Sequence, residues 1–500
     1  MQKSLFPIFA SIFLVGCTSF IPDPTDYGET PNYPGQQWEP VYSNWYCEGR
    51  ITAPPAKTLE ITENSDIASL LDVALRNHPL TRQAWAQARA SAFQVGVVES
   101  TNYPSVSGLA NWQYDDINLN SGDIPDSPPP GATAVASGAA GTPLGRIQST
   151  FWQISASYLL FDFGGRKAAI ESAKQALYAV NWSQNRTIQQ VIINVIQGYY
   201  QYVSSKEQVI AVESDLKNAV SGLDSAEHLF NAGVGKYLDV LQAKANVENV
   251  SLNLIVAKGQ VEIYLAQLAT ALGLPASTKI DTSVLPEKFP LEEMTLSIDE
   301  LMIMAKRYRP DLASAWATKL QKQQDIKVQV SNSMPNITTS VTLQKTKFLR
   351  GANLVSHDYN ATVQLNFPIF QGFYHINAIR KAKEDYRAAK ANYDNLESFA
   401  LLDVVTSYTN FFTAKEALIN SEESLKFAQE ARDVAYGSYG AGTSSFLDLL
   451  AADSALALAK SRNINARTGL AIALFNIGFS TGVLNVPYVA ETISEREKLK

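Results

Sequence analysis

The chain has 500 residues, of which 46% are hydrophobic and 18% charged, and a net charge of -7. That balance gives no basis for nucleic-acid binding, and two cysteines in 500 residues exclude a disulfide scaffold. Mean hydropathy is -0.09, and no uninterrupted apolar run reaches the length of a membrane-spanning helix, so any crossing of a membrane has to use strands.

Residues 1–16 read as an export signal. Lys3 supplies the positive start, Leu5 to Val15 a short apolar core, and Leu14-Val15-Gly16-Cys17 the end. This end resembles a bacterial lipobox, in which Cys17 is acylated and becomes the first residue; a plain secretory signal ending near a cysteine is the alternative. Thr18, rather than Asp, follows the cysteine, which favours outer-membrane sorting. With lipid on Cys17, Cys47 has no intramolecular partner. Residues 17–65 are rich in Pro, Tyr, Trp and Gly and read as an extended arm held to the body by Trp38, Trp45 and Tyr46.

From residue 66 the chain runs through one plan twice, over 66–272 and 297–484, with a Pro-containing connector at 273–296 and a charged tail at 485–500. Arg76-Asn77-His78-Pro79 followed by Ala84-Trp85-Ala86 matches Arg307-Tyr308-Arg309-Pro310 followed by Ala315-Trp316-Ala317, a shift of 231 (310 minus 79). Ala232-Gly233 matches Ala441-Gly442 and Leu238-Asp239 matches Leu447-Asp448, a shift of 209 (442 minus 233). The 22-residue difference falls between Pro104 and Phe161, in a Pro/Gly-rich loop where extra length is tolerated. Each half predicts a short helix, a helix, two strands, a very long helix, a tight turn and a long returning helix.

The long helices are predicted over Arg166 to about Ala232 and over Phe373–Tyr439. Apolar residues recur there every three or four positions, with no proline between Gly165 and Pro275. Each would be roughly 100 Å long, too long for a compact core to bury, so each must lie against equally long neighbours.

The strands alternate. Tyr359, Ala361, Val363, Leu365 and Phe367 oppose Asn360, Thr362, Gln364 and Asn366; Ile337, Thr339, Val341 and Leu343 oppose Thr338, Ser340, Thr342 and Gln344. Trp152, Ile154, Ala156, Tyr158 and Leu160 oppose Gln153, Ser155 and Ser157, and Val106–Tyr114 is similar with Leu109 out of step. An ordinary half-buried sheet shows the same alternation. Four strands cannot close a membrane barrel and an open edge cannot face hydrocarbon, so if these strands span a membrane, several copies share one barrel.

This plan resembles the outer-membrane efflux protein family, the TolC-like channels, over Asp66 to Leu484. The resemblance is carried by the turn Leu160-Phe161-Asp162-Phe163-Gly164-Gly165-Arg166, echoed weakly in Phe370-Gln371-Gly372. It is also carried by the two tips, Ala232-Gly233-Val234-Gly235-Lys236-Tyr237-Leu238-Asp239 and Ala441-Gly442-Thr443-Ser444-Ser445-Phe446-Leu447-Asp448. It implies an α+β membrane protein: a homotrimer with four transmembrane strands per protomer in a twelve-stranded barrel, and a long antiparallel α-helical tunnel in the periplasm. It further implies an outer-membrane exit duct of a tripartite efflux or type I secretion system, partnered by a periplasmic adaptor and an inner-membrane transporter. The lipid on Cys17 would lie at the outer membrane, and there would be no cofactor and no catalytic residue.

Within that resemblance Gly233, Val234, Gly235, Gly442 and Thr443 are the adaptor-docking tips, where glycine also serves the reversal of a helical hairpin. Asp239 and Asp448 follow the tips. Each is either a member of an acidic ring at the pore entrance or a carboxylate satisfying free N–H groups at a helix start; Asp448 is assigned to the ring and Asp239 to the cap. Ala451 stands where related channels often carry a second acid. Tyr103, Trp112, Trp152 and Tyr158 are candidates for interfacial girdles or for packing between protomers. His78, His228, His357 and His375 are scattered, with no metal-ligand spacing. The competing reading is a cell-envelope coiled-coil scaffold whose strands form a small packed sheet.

Overall fold

A computed structural model describes residues 30–38, 67–115, 147–280, 297–350 and 355–484. The expectations for Cys17, Cys47, Trp45, Tyr46, the loop at 116–146, most of the connector and the tail lie outside these residues.

The duplication is present element by element. The first half consists of α1 (Ile67–Asn77), α2 (Pro79–Glu99), β1 (Ser105–Asp115), β2 (Ile147–Phe161), α3 (Gly165–Asn231) and α4 (Tyr237–Ala271). The second consists of α5 (Ile298–Tyr308), α6 (Pro310–Ser331), β3 (Asn336–Arg350), β4 (Val355–Asn366), α7 (Tyr374–Gly440) and α8 (Phe446–Thr481). Helices α3 and α7 are each 67 residues long, and α4 and α8 are 35 and 36. With no proline inside them nothing breaks these helices.

The chain forms two compact units, one of residues up to 93, 175–319 and from 389 on, the other of 94–174 and 320–388. In the first, α1 presents Ile67, Leu70, Leu71, Ala74 and Leu75 on one face, at the spacing of an amphipathic helix. That face buries against Ile188, Ile192 and Ile196 of α3, Leu268 of α4, Leu272 at its C-cap and Phe475 of α8. Its repeat partner α5 does the same with Leu301 and Ala305 against Val404 and Phe411 of α7 and Leu470 and Ile477 of α8. The arm is anchored as expected at Trp38. Its N–H donates to Asn185 Oδ1 at 2.7 Å, and its carbonyl accepts from Asn185 Nδ2 at 2.8 Å. Its ring stacks on Tyr178 and meets Trp182 edge-on.

In the second unit the four strands form one antiparallel sheet in the order β1-β2-β3-β4. Register puts Gly108, Ile154, Leu343 and Tyr359 in one cross-strand row, so the apolar positions of all four strands share a face. Leu109 pairs with Gln153 on the other face, which accounts for its being out of step. Along β3 the apolar-side residues Val341 and Leu343 are exposed while Thr342, Gln344 and Thr346 are half-buried. The polar face is knitted by hydroxyls, with Ser105 Oγ 2.7 Å from Ser157 Oγ and Ser107 Oγ 2.8 Å from Ser155 Oγ. β1 and β4 are the outer strands, and an unpaired strand edge requires a partner in a nonpolar medium. Of the aromatic candidates, Tyr103, Trp112 and Trp152 are exposed; Tyr158 lies under the Arg166 guanidinium, 5.5 Å from its ring centre.

The turn from sheet to helix is also duplicated. Phe163 and Gly164 have φ of 52° and 87°, and Gly372 and Phe373 have 59° and 65°. Two successive left-handed residues are thus used at the same point of each repeat, with Phe and Gly exchanged. Asp162 caps the first of these helices, accepting from the N–H groups of Gly164 and Arg166.

Candidate functional site

The two hairpin tips are built alike. At the end of α3 the Gly233 N–H donates to Phe230 O and the Val234 N–H to Leu229 O; at the end of α7 the Gly442 N–H donates to Tyr439 O and the Thr443 N–H to Ser438 O. Both pairs make the Schellman termination, which satisfies the last carbonyls of the helix and needs a left-handed residue. Gly233 and Gly442 supply it, with φ of 76° and 72°. Gly235 is needed for space, since a Cβ there would stand 2.7 Å from Phe230 N.

Behind the turns the tips share a core. Ala226, Val240 and Ala243 of the first hairpin pack with Tyr439, Phe446 and Leu449 of the second. In front of it apolar side chains are left outside: Val234 is 75% exposed, and Tyr237, Leu238 and Leu447 are more than half exposed. An end that terminates two helix pairs, fixes them to each other and still presents aliphatic groups is suited to receive another protein surface.

The carboxylates after the tips differ. Ser445 is the N-cap of α8. Its Oγ accepts from the Asp448 N–H at 3.2 Å, and Asp448 Oδ2 accepts from the Ser445 N–H at 3.0 Å and from its Oγ at 2.8 Å. This is a reciprocal capping box. The hydrogen bonds from the Ser445 side chain and backbone hold the Asp448 carboxyl below the usual range. At the equivalent place in α4 the N-cap is Lys236, which has no capping side chain, and Asp239 makes no such box. The cap expected at Asp239 therefore belongs to Asp448, because a serine three residues earlier completes the box there and a lysine cannot. Asp239 instead places its charge near the buried Tyr439, whose phenol is pushed up by burial and by that carboxylate. The Tyr439 hydroxyl is buried without a hydrogen-bond partner.

Away from the tips, three ion pairs tie α8 to its neighbours. Arg432 Nε lies 3.0 Å from Asp453, Lys460 Nζ 2.7 Å from Asp215 and Arg467 Nη1 3.2 Å from Glu207. Burial pushes the Asp453 carboxyl up in spite of Arg432. Among the described residues no three His, Cys, Asp or Glu side chains are grouped to hold a metal ion, and no helix is long and apolar enough to cross a membrane.

Comparison with known proteins follows the same boundaries. The family described as outer membrane efflux protein matches residues 70–274 and 301–483, the two repeats without the connector. The chain is 24% identical over 444 residues to protein CyaE of Bordetella pertussis, covering 87% of this chain and 85% of that one. It is 26% identical over 334 residues to the pyoverdine export outer membrane protein OpmQ of Pseudomonas aeruginosa, covering 63% and 66%. The crystal structure of the Campylobacter jejuni CmeC outer membrane channel shares the fold, with a TM-score of 0.72 at 18% identity over 89% of this chain and 97% of that one.

Proposed function

The chain belongs to the outer membrane efflux protein family, and on that premise we propose that it is the outer-membrane exit duct of a tripartite efflux or type I secretion system. The observation that carries the reading is the sheet: four strands with one exposed apolar face, one polar face and two outer strands. Three copies would supply twelve strands, an even number within the range of membrane barrels, and would pair every edge. The polar face, lined by Ser105, Ser107, Ser155 and Ser157, would then face the water-filled lumen.

The helical hairpins extend into the periplasm in this reading. Their tips at Gly233, Val234, Gly235, Gly442 and Thr443 dock a periplasmic adaptor, which links the duct to an inner-membrane transporter. Asp239 and Asp448, repeated three times, put acidic charge at the entrance. Cys17 carries acyl lipid and holds the arm at the outer membrane. The duct conducts passively and carries out no catalytic step.

Fractionation and conductance test this reading. The full chain should partition with outer membranes, run as a heat-modifiable trimer and open ion-conducting pores in planar bilayers. A detergent-independent monomer with the Tyr359–Phe367 side chains protected inside it would replace the duct with a scaffold.

A further inference from the structure

Strand β3 runs on past the apolar band, and its outward face changes chemistry there. Beyond Val341 and Leu343 the next two positions on that face are Lys345 and Lys347, both exposed. Register sets Lys345 between Trp152 of β2 and His357 of β4, and Lys347 between Thr150 of β2 and Val355 of β4. Trp112 of β1 stands across from Thr150. The two lysines thus occupy alternate residues of one strand, their backbones roughly 7 Å apart along it, in rows that also hold two indoles and an imidazole. This is the end of the sheet where the hairpins turn, opposite the end where β1 begins and β2 leads into α3.

Among the described residues neither lysine has a carboxylate partner. Asp358, the acid nearest in register, pairs with Gln344 on the opposite face and its carboxylate accepts from Ser356 Oγ at 3.2 Å. On the same face toward the helices, Ile154, Leu343, Tyr359, Val363 and Leu365 are exposed and uncharged. A lysine beside such a band is disfavoured at the depth of hydrocarbon and tolerated at its border, and tryptophan concentrates at that same border. The lysines therefore lie level with lipid headgroups, where phosphate is the complementary group. Two adjacent cations with no anion between them suit a headgroup that carries several phosphates and no cation of its own.

We propose that Lys345, Lys347 and His357 bind the phosphates of a phosphorylated glycolipid in the leaflet at the hairpin end of the sheet, with Trp152 and Trp112 packing beside the headgroup. This rests on the reading of the sheet as membrane-spanning. The ammonium groups act as charge-assisted donors to phosphate oxygen, and a lipid bound there would cover the joint between the strands that carry them.

The full chain, purified as the trimer in dodecyl maltoside, would be titrated with diphosphoryl lipid A, monophosphoryl lipid A and phosphatidylethanolamine, with binding read by native mass spectrometry. Wild type should prefer the diphosphoryl lipid. Lys345→Gln/Lys347→Gln should weaken that binding about tenfold or more and leave phosphatidylethanolamine unchanged, while Lys345→Arg/Lys347→Arg should retain it. Equal affinity of wild type for all three lipids overturns the proposal without any variant, as does an unchanged affinity in the double glutamine variant. Capture of an acidic protein on this face with no lipid preference overturns it as well. A trimer in the outer membrane that lacks the preference removes this inference alone; a chain absent from the outer membrane removes the duct beneath it.

Discussion

Gly482 rests on the backbone of Arg309, so closely that a Cβ on the glycine would stand 2.7 Å from Arg309 Cα. Its repeat partner Gly273 rests on His78 in the same way, also at 2.7 Å. Each glycine ends a returning helix in the left-handed conformation, with φ of 81° and 73°. Each residue under it is the one before the proline that starts the second helix of its half. The long hairpin of each repeat is thereby pinned to the junction of its two short helices. Gly482→Ala and Gly273→Ala should each cost about 1–2 kcal/mol for the backbone conformation alone, and more for the contact. The melting temperature of the full chain should fall in both variants, and further than for alanine at Gly437, which has open space around it.

Arg309 is the more heavily committed of the two pinned residues. Its side chain is 4% exposed, and its guanidinium bonds Asp311 through Nε and Nη2, at 3.1 and 2.7 Å. Through Nη1 it bonds Asp403 at 2.9 Å and Ser480 O at 3.3 Å. Burial opposes its charge, but the two carboxylates outweigh burial and raise its pKa. Arg186, alongside, is pulled down to about 10 by burial and donates to Phe479 O at 3.2 Å. Arg309→Met should destabilise by somewhat less than the roughly 3–5 kcal/mol of breaking a fully buried pair, since Asp403 is 51% exposed and water can re-solvate it. Arg309→Lys should recover little, because an ammonium cannot reproduce the two-pronged bond to Asp311. Thermal unfolding of the purified full chain reads both.

At the tips, the first turn of α8 should be the better protected of the two returning helices, because Ser445 and Asp448 close a capping box that Lys236 and Asp239 lack. Ser445→Ala should speed amide exchange in that turn about fivefold, in keeping with a typical N-cap loss, and leave α4 unaffected. The Asp448 carboxyl is depressed in the folded protein, so its contribution is complete above the ordinary Asp range near ~4. It is lost as pH falls through the lower, folded value. Exchange in this turn should therefore quicken in acid below that range in wild type and show no such step in Asp448→Asn.

The large features were legible because they are periodic or repeated. The shift of 231 reappears in α1 against α5 and in β1 against β3, and the shift of 209 in α3 against α7, as the element starts show. The expected start at Arg166 lies within one residue of the observed Gly165, since nothing in that stretch interrupts a helix. Strand β3 was legible to Gln344 and runs on to Arg350, because Lys345 and Lys347 break the apolar alternation by which a strand is read. The capping box is written in the sequence as Ser445-x-x-Asp448, a local signal that does not depend on whether Asp448 also belongs to a ring. The Arg309 cluster had no signal to find: Asp403 and Ser480 are 94 and 171 residues away, and a lone arginine before a proline does not announce burial.

Asp239 and Asp448 stand at equivalent places in the two repeats, yet one carboxylate is engaged by a serine and the other is not. Under the duct reading this separates charge from fold in a single experiment. Asp448→Ala removes a charge and a cap, Ser445→Ala removes the cap and keeps the charge, and Asp239→Ala removes a charge where no cap exists. A ring of repeated carboxylates favours cations at a constriction. Divalent-cation block in planar bilayers should therefore weaken several-fold in Asp448→Ala and Asp239→Ala and hold in Ser445→Ala. Because hydrogen bonds from Ser445 keep Asp448 ionised below the usual Asp range, its share of the block should persist into mild acid. If Ser445→Ala matches Asp448→Ala, the aspartate acts through the helix start and not as part of a ring. If all three variants block like wild type, neither carboxylate lines the entrance, and the duct stands without an acidic gate.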